Sequence, residues 1–196
     1  MHSGLDLRSW TRRTFLGWFV GVAFLLALSA LLESTGIDDK QFHVGLAMAA
    51  GVGLCQMGLI RERFGVSTAW VWASALGMGI PFLAIDLLQP GEYPFKLMIS
   101  AGLGGVGLAV LQYLLLTAHV RHPGLWIVGT SAGWMLSAAM VHATSLTMAI
   151  RPPRQLLLVL ALLNLLIILT GSVVLGMITG RTIERTTTAA SPLPRP

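Results

Sequence analysis

The chain has 196 residues, of which 55% are drawn from AVILMFWYC and only 11% are charged, against roughly a quarter charged in an ordinary soluble domain. So few ionised side chains cannot cover a water-soluble fold of this length, which excludes a soluble enzyme, a disordered regulator and a nucleic-acid-binding domain. The net charge of +5 therefore belongs to the loops of an integral membrane protein.

A span needs about 20 mostly apolar residues, and six stretches qualify: Thr14–Leu32, Gln41–Ile60, Ala69–Leu88, Leu97–Ala118, Leu125–Met148 and Gln155–Thr179. The breaks between them are short and carry charge, Pro or Gly, so successive helices are expected to be antiparallel neighbours. The sequence predicts an all-α, polytopic membrane helical bundle over residues 1–180 and a Thr/Ala/Pro-rich disordered tail over 181–196. Thr11–Leu16 has the look of a twin-arginine signal, but five further spans follow it, so the first is read as an uncleaved helix.

Charge placement orients the bundle. With the N-terminus inside, the inner side holds nine basic residues (Arg8, Arg12, Arg13, Arg61, Arg63, Arg121, Arg181, Arg185, Arg195) and the outer side four (Lys40, Lys96, Arg151, Arg154). Lys/Arg bias sets topology. Both termini are expected to be cytoplasmic in a bacterial inner membrane, with the Arg151/Arg154 loop dissenting.

A shift of 56 positions aligns Gly51 with Gly107, Gln56 with Gln112, Trp70 with Trp126 and Gly77 with Gly133, with Gly21 in register with the last pair. Small residues spaced by four (Gly45, Ala49, Gly53 and Ala101, Gly105, Ala109) form one stripe on each of two helices, where they let backbones approach in lipid. These matches point to a duplicated helical hairpin. Gln56 and Gln112 are expected to hydrogen-bond between helices, Asn164 to do the same, and Trp70 and Trp126 to anchor spans at the inner interface.

Ionisable groups at membrane depth are costly and need a reason. Glu33, Asp39, Lys40, His43, Asp86, Gln89 and His142 all fall towards the outer half. Asp39 and His43 share a face at i,i+4 spacing, with Lys40 beside them, and Asp86 with Gln89 follows at i,i+3. They are the candidate ligand-binding residues of an outward-facing polar pocket. The bland alternative is a helix N-cap plus a salt bridge. No dense His spacing or HExxH pattern signals a metal site, and no cofactor is expected. Gly129–Gly133 matches GxSxG, but the nucleophile elbow needs a strand–turn–helix setting and this segment lies in a span. The lone Cys55 reads as a packing residue.

Two segments resemble the VanZ-like membrane proteins. Asp39-Lys40-Gln41-Phe42-His43 is similar to that family's DKxxH signature. Asp86-Leu87-Leu88-Gln89-Pro90-Gly91, followed by Ser100–Gly104, is similar to its second block, although Asp86 stands for Glu and Glu92 for Arg. The resemblance covers the first four spans and implies Asp39, Lys40, His43, Asp86 and Gln89 as signature residues. It also implies an association, in some members, with resistance to teicoplanin-type glycopeptides. A Gly-rich, Trp-anchored repeat is also similar to that of bacterial membrane proteins without an assigned activity.

The reading that follows is a small, non-catalytic membrane protein whose outer polar pocket binds an envelope or lipid-linked ligand, with the bilayer and a small molecule or lipid headgroup as partners. One alternative is a substrate-binding subunit similar to the S-components of energy-coupling-factor importers, with Ala23 and Ala27 on the first helix as a docking face. Another is a structural subunit among partner membrane chains. No nucleophile, base and oxyanion set emerges to support an enzyme.

Overall fold

A computed structural model describes residues 6–37, 40–89, 91, 95–120, 122–149 and 153–188. Within them the chain folds into α1 (Leu7–Ser34), α2 (Phe42–Phe64), α3 (Thr68–Leu88), α4 (Lys96–Leu116), α5 (Pro123–Ala149) and α6 (Leu157–Thr188), with a single 3-10 turn, Arg154–Leu156, leading into α6. All six helices are long and apolar enough to cross a membrane. The molecule is a multi-pass, all-α helical bundle.

The first and last helices run further than hydropathy predicts. α1 begins at Leu7 because the Asp6 carboxylate caps it, accepting the N–H groups of Arg8 (3.1 Å) and Ser9 (3.2 Å). Those backbone bonds hold the Asp6 carboxyl below its ordinary range. Arg8, Arg12 and Arg13 thus lie within the helix. At the other end α6 continues to Thr188, so residues 181–188 of the expected disordered tail are helical. Ile183 and Thr186 are fully buried there, and that burial explains the extension. The α1–α2 turn closes on Gly36 at φ 75°, where the Ile37 N–H reaches back to the Leu32 carbonyl (3.1 Å) and the Gly36 N–H to that of Glu33 (3.1 Å).

Each helix packs on the next in sequence, and α6 returns against α1 to close a ring. Close backbone approach sets the pairs. A methyl on Gly17 would lie 2.5 Å from Val52 Cα, and one on Gly77 would collide with Leu108 Cα. In lipid, where apolar surface has little to gain by leaving hydrocarbon, such contact supplies much of the association.

Looking down the ring, the inward side chains stack in layers. One end is closed by Trp10, Trp70 and Trp126 with Ile60, Leu116 and Ile183, each at most 1% exposed. Ring centroids of 6.5 Å for Trp10–Trp70 and 6.4 Å for Trp70–Trp126 make the three indoles one continuous group. The expectation that Trp70 and Trp126 anchor at the interface is corrected by this. They point into the ring, and Trp72, two residues on and therefore facing away, is the one exposed at 64%. A second apolar layer contains Trp18, Met78, Leu108, Trp134 and Leu175, with Trp18 stacked on Trp134 at 6.2 Å.

Candidate functional site

The two ends of the ring differ in chemistry. At the end opposite the tryptophans, Asp86 closes α3 in a position only 1% exposed. Its Oδ2 accepts the backbone N–H groups of Gln41 and Phe42, both at 2.7 Å. Asp86 thus caps α2 from another helix, where the partial positive charge of the helix start favours a carboxylate. Its Oδ1 lies 3.1 Å from Lys96 Nζ, and Lys96, 3% exposed at the first turn of α4, also donates to the Gly91 carbonyl at 3.0 Å. One buried ion pair joins the start of α2, the end of α3 and the start of α4.

The other sequence candidates are arranged around this knot and are not gathered into it. Glu33 and Gln89 are exposed, Lys40 is half-buried, and Asp39 lies outside the described residues. The half-buried His43 sits one residue past the capped N–H groups, with its ring edge-to-face with Phe42 at a centroid distance of 5.9 Å and its Nδ1 shielded and without a hydrogen-bond partner. His142 packs against Phe95 at 5.4 Å. Among the described residues no hydrogen bond links His142 to His43 or Asp86, and no group of three or more His, Cys, Asp or Glu could hold a metal. Asp86 is a ligand-binding candidate by sequence, and in the fold both its oxygens serve protein partners. Lys96, by sequence only a loop cation, is the buried counter-charge of Asp86, a role that sequence reasoning misses. The available signal was a lone lysine at the head of a span ten positions after a lone aspartate.

Directly inside this end lies a cavity of about 230 Å³ to which all six helices contribute. Val44 and Gly45, Phe82, Leu97 and Ala101, and Val141 form its walls, Val22 and Leu25 of α1 and Ile168 of α6 its side, and Trp18, Met78 and Trp134 its floor. Every lining side chain is apolar, so the cavity is suited to hydrocarbon. Between α1 and α6 the tight contacts fall near the tryptophans: Gly176 against Thr11, Gly180 against Trp10, and Trp10 Nε1 donating to Thr179 Oγ1 at 2.9 Å. Towards the cavity both helices turn large apolar side chains outwards, such as Leu26 at 66% and Leu158 at 71% exposed.

Below the floor runs a polar layer that sequence reading only partly found. Gln56 Nε2 donates to Thr14 Oγ1 and Gln112 Nε2 to Ser74 Oγ, both at 2.8 Å, so these glutamines do bond between helices. The acceptors are fixed in turn by donating to the carbonyls of Trp10 (3.0 Å) and Trp70 (2.8 Å). Thr14 and Ser74, with Thr130, each stand four residues after Trp10, Trp70 and Trp126, and Gly17, Gly77 and Gly133 follow three later. A shift of 56 aligned Gly21 with Gly77, whereas the packing makes Gly17 the counterpart: Gly17 meets Val52 as Gly77 meets Leu108. Elsewhere, Thr147 Oγ1 donates to Asn164 Oδ1 at 2.7 Å, tying α5 to α6. Ser131 of the GxSxG match donates to the Gly102 carbonyl at 2.8 Å, which makes it a helix–helix contact. The chain matches no family model, no curated protein and no solved structure.

Proposed function

We propose that this protein binds a membrane amphiphile, without catalysis, by taking its hydrocarbon chain into the cavity beside Asp86 and keeping its polar end near His43. The observation that carries the reading is a wholly apolar cavity of about 230 Å³ built from all six helices. A cavity of about 150 Å³ accepts benzene, on the order of 25 Å³ per carbon, so this one has room for about nine carbons of a chain. A chain reaches it from the bilayer between α1 and α6. The half-buried His43, at the same end, offers its imidazole to the polar part. The Asp86–Lys96 knot holds the rim and leaves the binding to its neighbours.

The arginine-rich tryptophan end belongs in the cytoplasm by the loop-charge argument, which turns the cavity end outwards from a bacterial inner membrane. The DKxxH-like start of α2 and the Asp86–Gln89 segment meet at this rim, which supports a VanZ-like envelope or lipid-linked ligand. The recurring Trp, Ser/Thr and Gly spacing supports a bundle built from three copies of one hairpin. A second reading, an importer's substrate-binding subunit, is favoured by one feature: Ala23 and Ala27 are exposed on α1, leaving a small-residue face for a partner helix.

The test is lipid retention and thermal shift on the purified full-length chain. Alcohols or fatty acids of eight to ten carbons are expected to raise the melting temperature of the parent protein, and filling the cavity with Ala138→Phe to cancel the rise. His43→Ala should weaken the shift for the polar amphiphile and leave that for the plain hydrocarbon intact. A shift of the same size in the parent and in Ala138→Phe would remove the cavity from the reading. ATPase subunits co-purifying from the native membrane would favour the importer instead.

A further inference from the structure

The amide-to-hydroxyl bond of the polar layer is made in two hairpins and lacking in the third, while Trp70 Nε1, like Trp126 Nε1, is buried without a hydrogen-bond partner. Where α2 and α4 place Gln56 and Gln112, α6 places Thr179, as the neighbouring contacts show: Gly17 meets Val52, Gly77 meets Leu108 and Gly133 meets Leu175, each four residues before the polar position. Thr179 is too short to reach across. Its hydroxyl already donates to the Leu175 carbonyl (2.7 Å) and accepts from Trp10 Nε1 (2.9 Å). Thr130 Oγ1, the counterpart of the Thr14 and Ser74 acceptors, and Trp126 Nε1 are both buried without a partner, in residues 1% exposed.

Both residues line a small space of about 10 Å³, bounded also by Gln56, Gln112 and Thr179. That is room for the centre of about one water-sized sphere. Because Gln56 and Gln112 spend their amide nitrogens on Thr14 and Ser74, each keeps its amide oxygen as an acceptor. The residues lining the space therefore carry an indole N–H, a hydroxyl and two amide carbonyl acceptors, a balanced neutral set. A halide of similar size would be stripped of water with no cation to offset its charge, which is far costlier than any neutral donor can return. We infer that this pocket binds one sequestered water molecule, which stands in for the amide that the third hairpin lacks.

The experiment reads the Trp126 indole N–H by NMR in nanodiscs, using the full ¹⁵N-labelled chain and assigning the signal by its loss in Trp126→Phe. A cross-peak from this proton to the water frequency is expected in the parent. In Thr130→Val the cross-peak should persist, since a bound water remains while the exchanging hydroxyl is gone. In Thr179→Gln it should disappear with no fall in melting temperature, because the longer side chain accepts from Trp10 and donates to Thr130 in the water's place. Absence of the cross-peak in the parent, or its loss in Thr130→Val, overturns the assignment. A melting temperature lowered in Thr179→Gln with the cross-peak retained does the same. If Thr179→Gln does not fold, the first two spectra decide.

Discussion

Lys96 Nζ lies 3.1 Å from Asp86 Oδ1, with the two side chains 2% and 1% exposed, while Asp86 Oδ2 accepts the first free N–H groups of α2. Three helix ends therefore depend on one carboxylate. The pair is retained in a setting where desolvating two charges is expensive and their mutual attraction alone does not guarantee net stability. The backbone N–H bonds make the difference, because α2 would otherwise start with buried, unanswered donors.

Removing the cation alone is the severe change. Lys96→Met leaves a buried carboxylate with no counter-charge and is expected to cost about 3–5 kcal/mol. Asp86→Asn in the same chain should recover much of that loss, since an amide oxygen still accepts from α2. Equilibrium unfolding in detergent, read as a double-mutant cycle, checks the coupling. Strictly additive losses would show that the pair is not a unit.

The backbone contacts give a second contrast. Gly77→Ala places a methyl against Leu108 Cα and the Gly107 backbone, which cannot give way without separating α3 from α4, so a loss of about 1–3 kcal/mol is expected. Gly124→Ala meets nothing within 4 Å in the first turn of α5 and should be neutral or stabilising by up to about 1 kcal/mol. Melting temperatures of the two variants should move apart. Equal shifts would mean that Gly77 is no tighter than a loop-end glycine.

The interhelical amides should matter less than their burial suggests. Gln56→Leu removes one bond to Thr14 Oγ1, but that hydroxyl keeps its own bond to the Trp10 carbonyl. Polar contacts between membrane helices average about 0.6 kcal/mol and reach about 1.7. The substitution should fall in that range, and a loss above about 3 kcal/mol would reveal a second task for Gln56.

Helix number and order were legible because each apolar run is long and each loop is marked by charge, Pro or Gly. Helix ends were not. Nothing in hydropathy distinguishes Arg12 and Arg13 inside a capped helix from the same residues before one, and the fully buried Thr186 looks like a polar tail. Periodicity found Gln56 and Gln112 through their identical spacing to Trp and Gly. It misplaced the first copy, because the α1–α2 hairpin is four residues longer between its tryptophan and its glutamine, and so missed Thr14. The Asp86–Lys96 pair escaped because its partners lie on successive helices, where no face-sharing rule of a single helix applies. The apolar cavity had no sequence signature, since its walls are ordinary bundle residues whose side chains do not quite meet.

Orientation is the last prediction, and it rests on the count of nine basic residues on the Arg61–Arg63 side against four on the other. The exposed Glu33 and Glu62 mark the two ends of the bundle. Cys55, partly buried within α2, is replaced by alanine to give a clean background. A cysteine substituted for Glu33 should then react with a membrane-impermeant maleimide on intact cells, and one substituted for Glu62 only after the membrane is opened. The arginines of α1 and α2 cluster at the Glu62 end, and moving them across the bilayer would oppose both the membrane potential and the loop bias. Labelling of the Glu62 position from outside would turn the cavity rim and His43 towards the cytoplasm. The proposed ligand would then have to come from the inner leaflet.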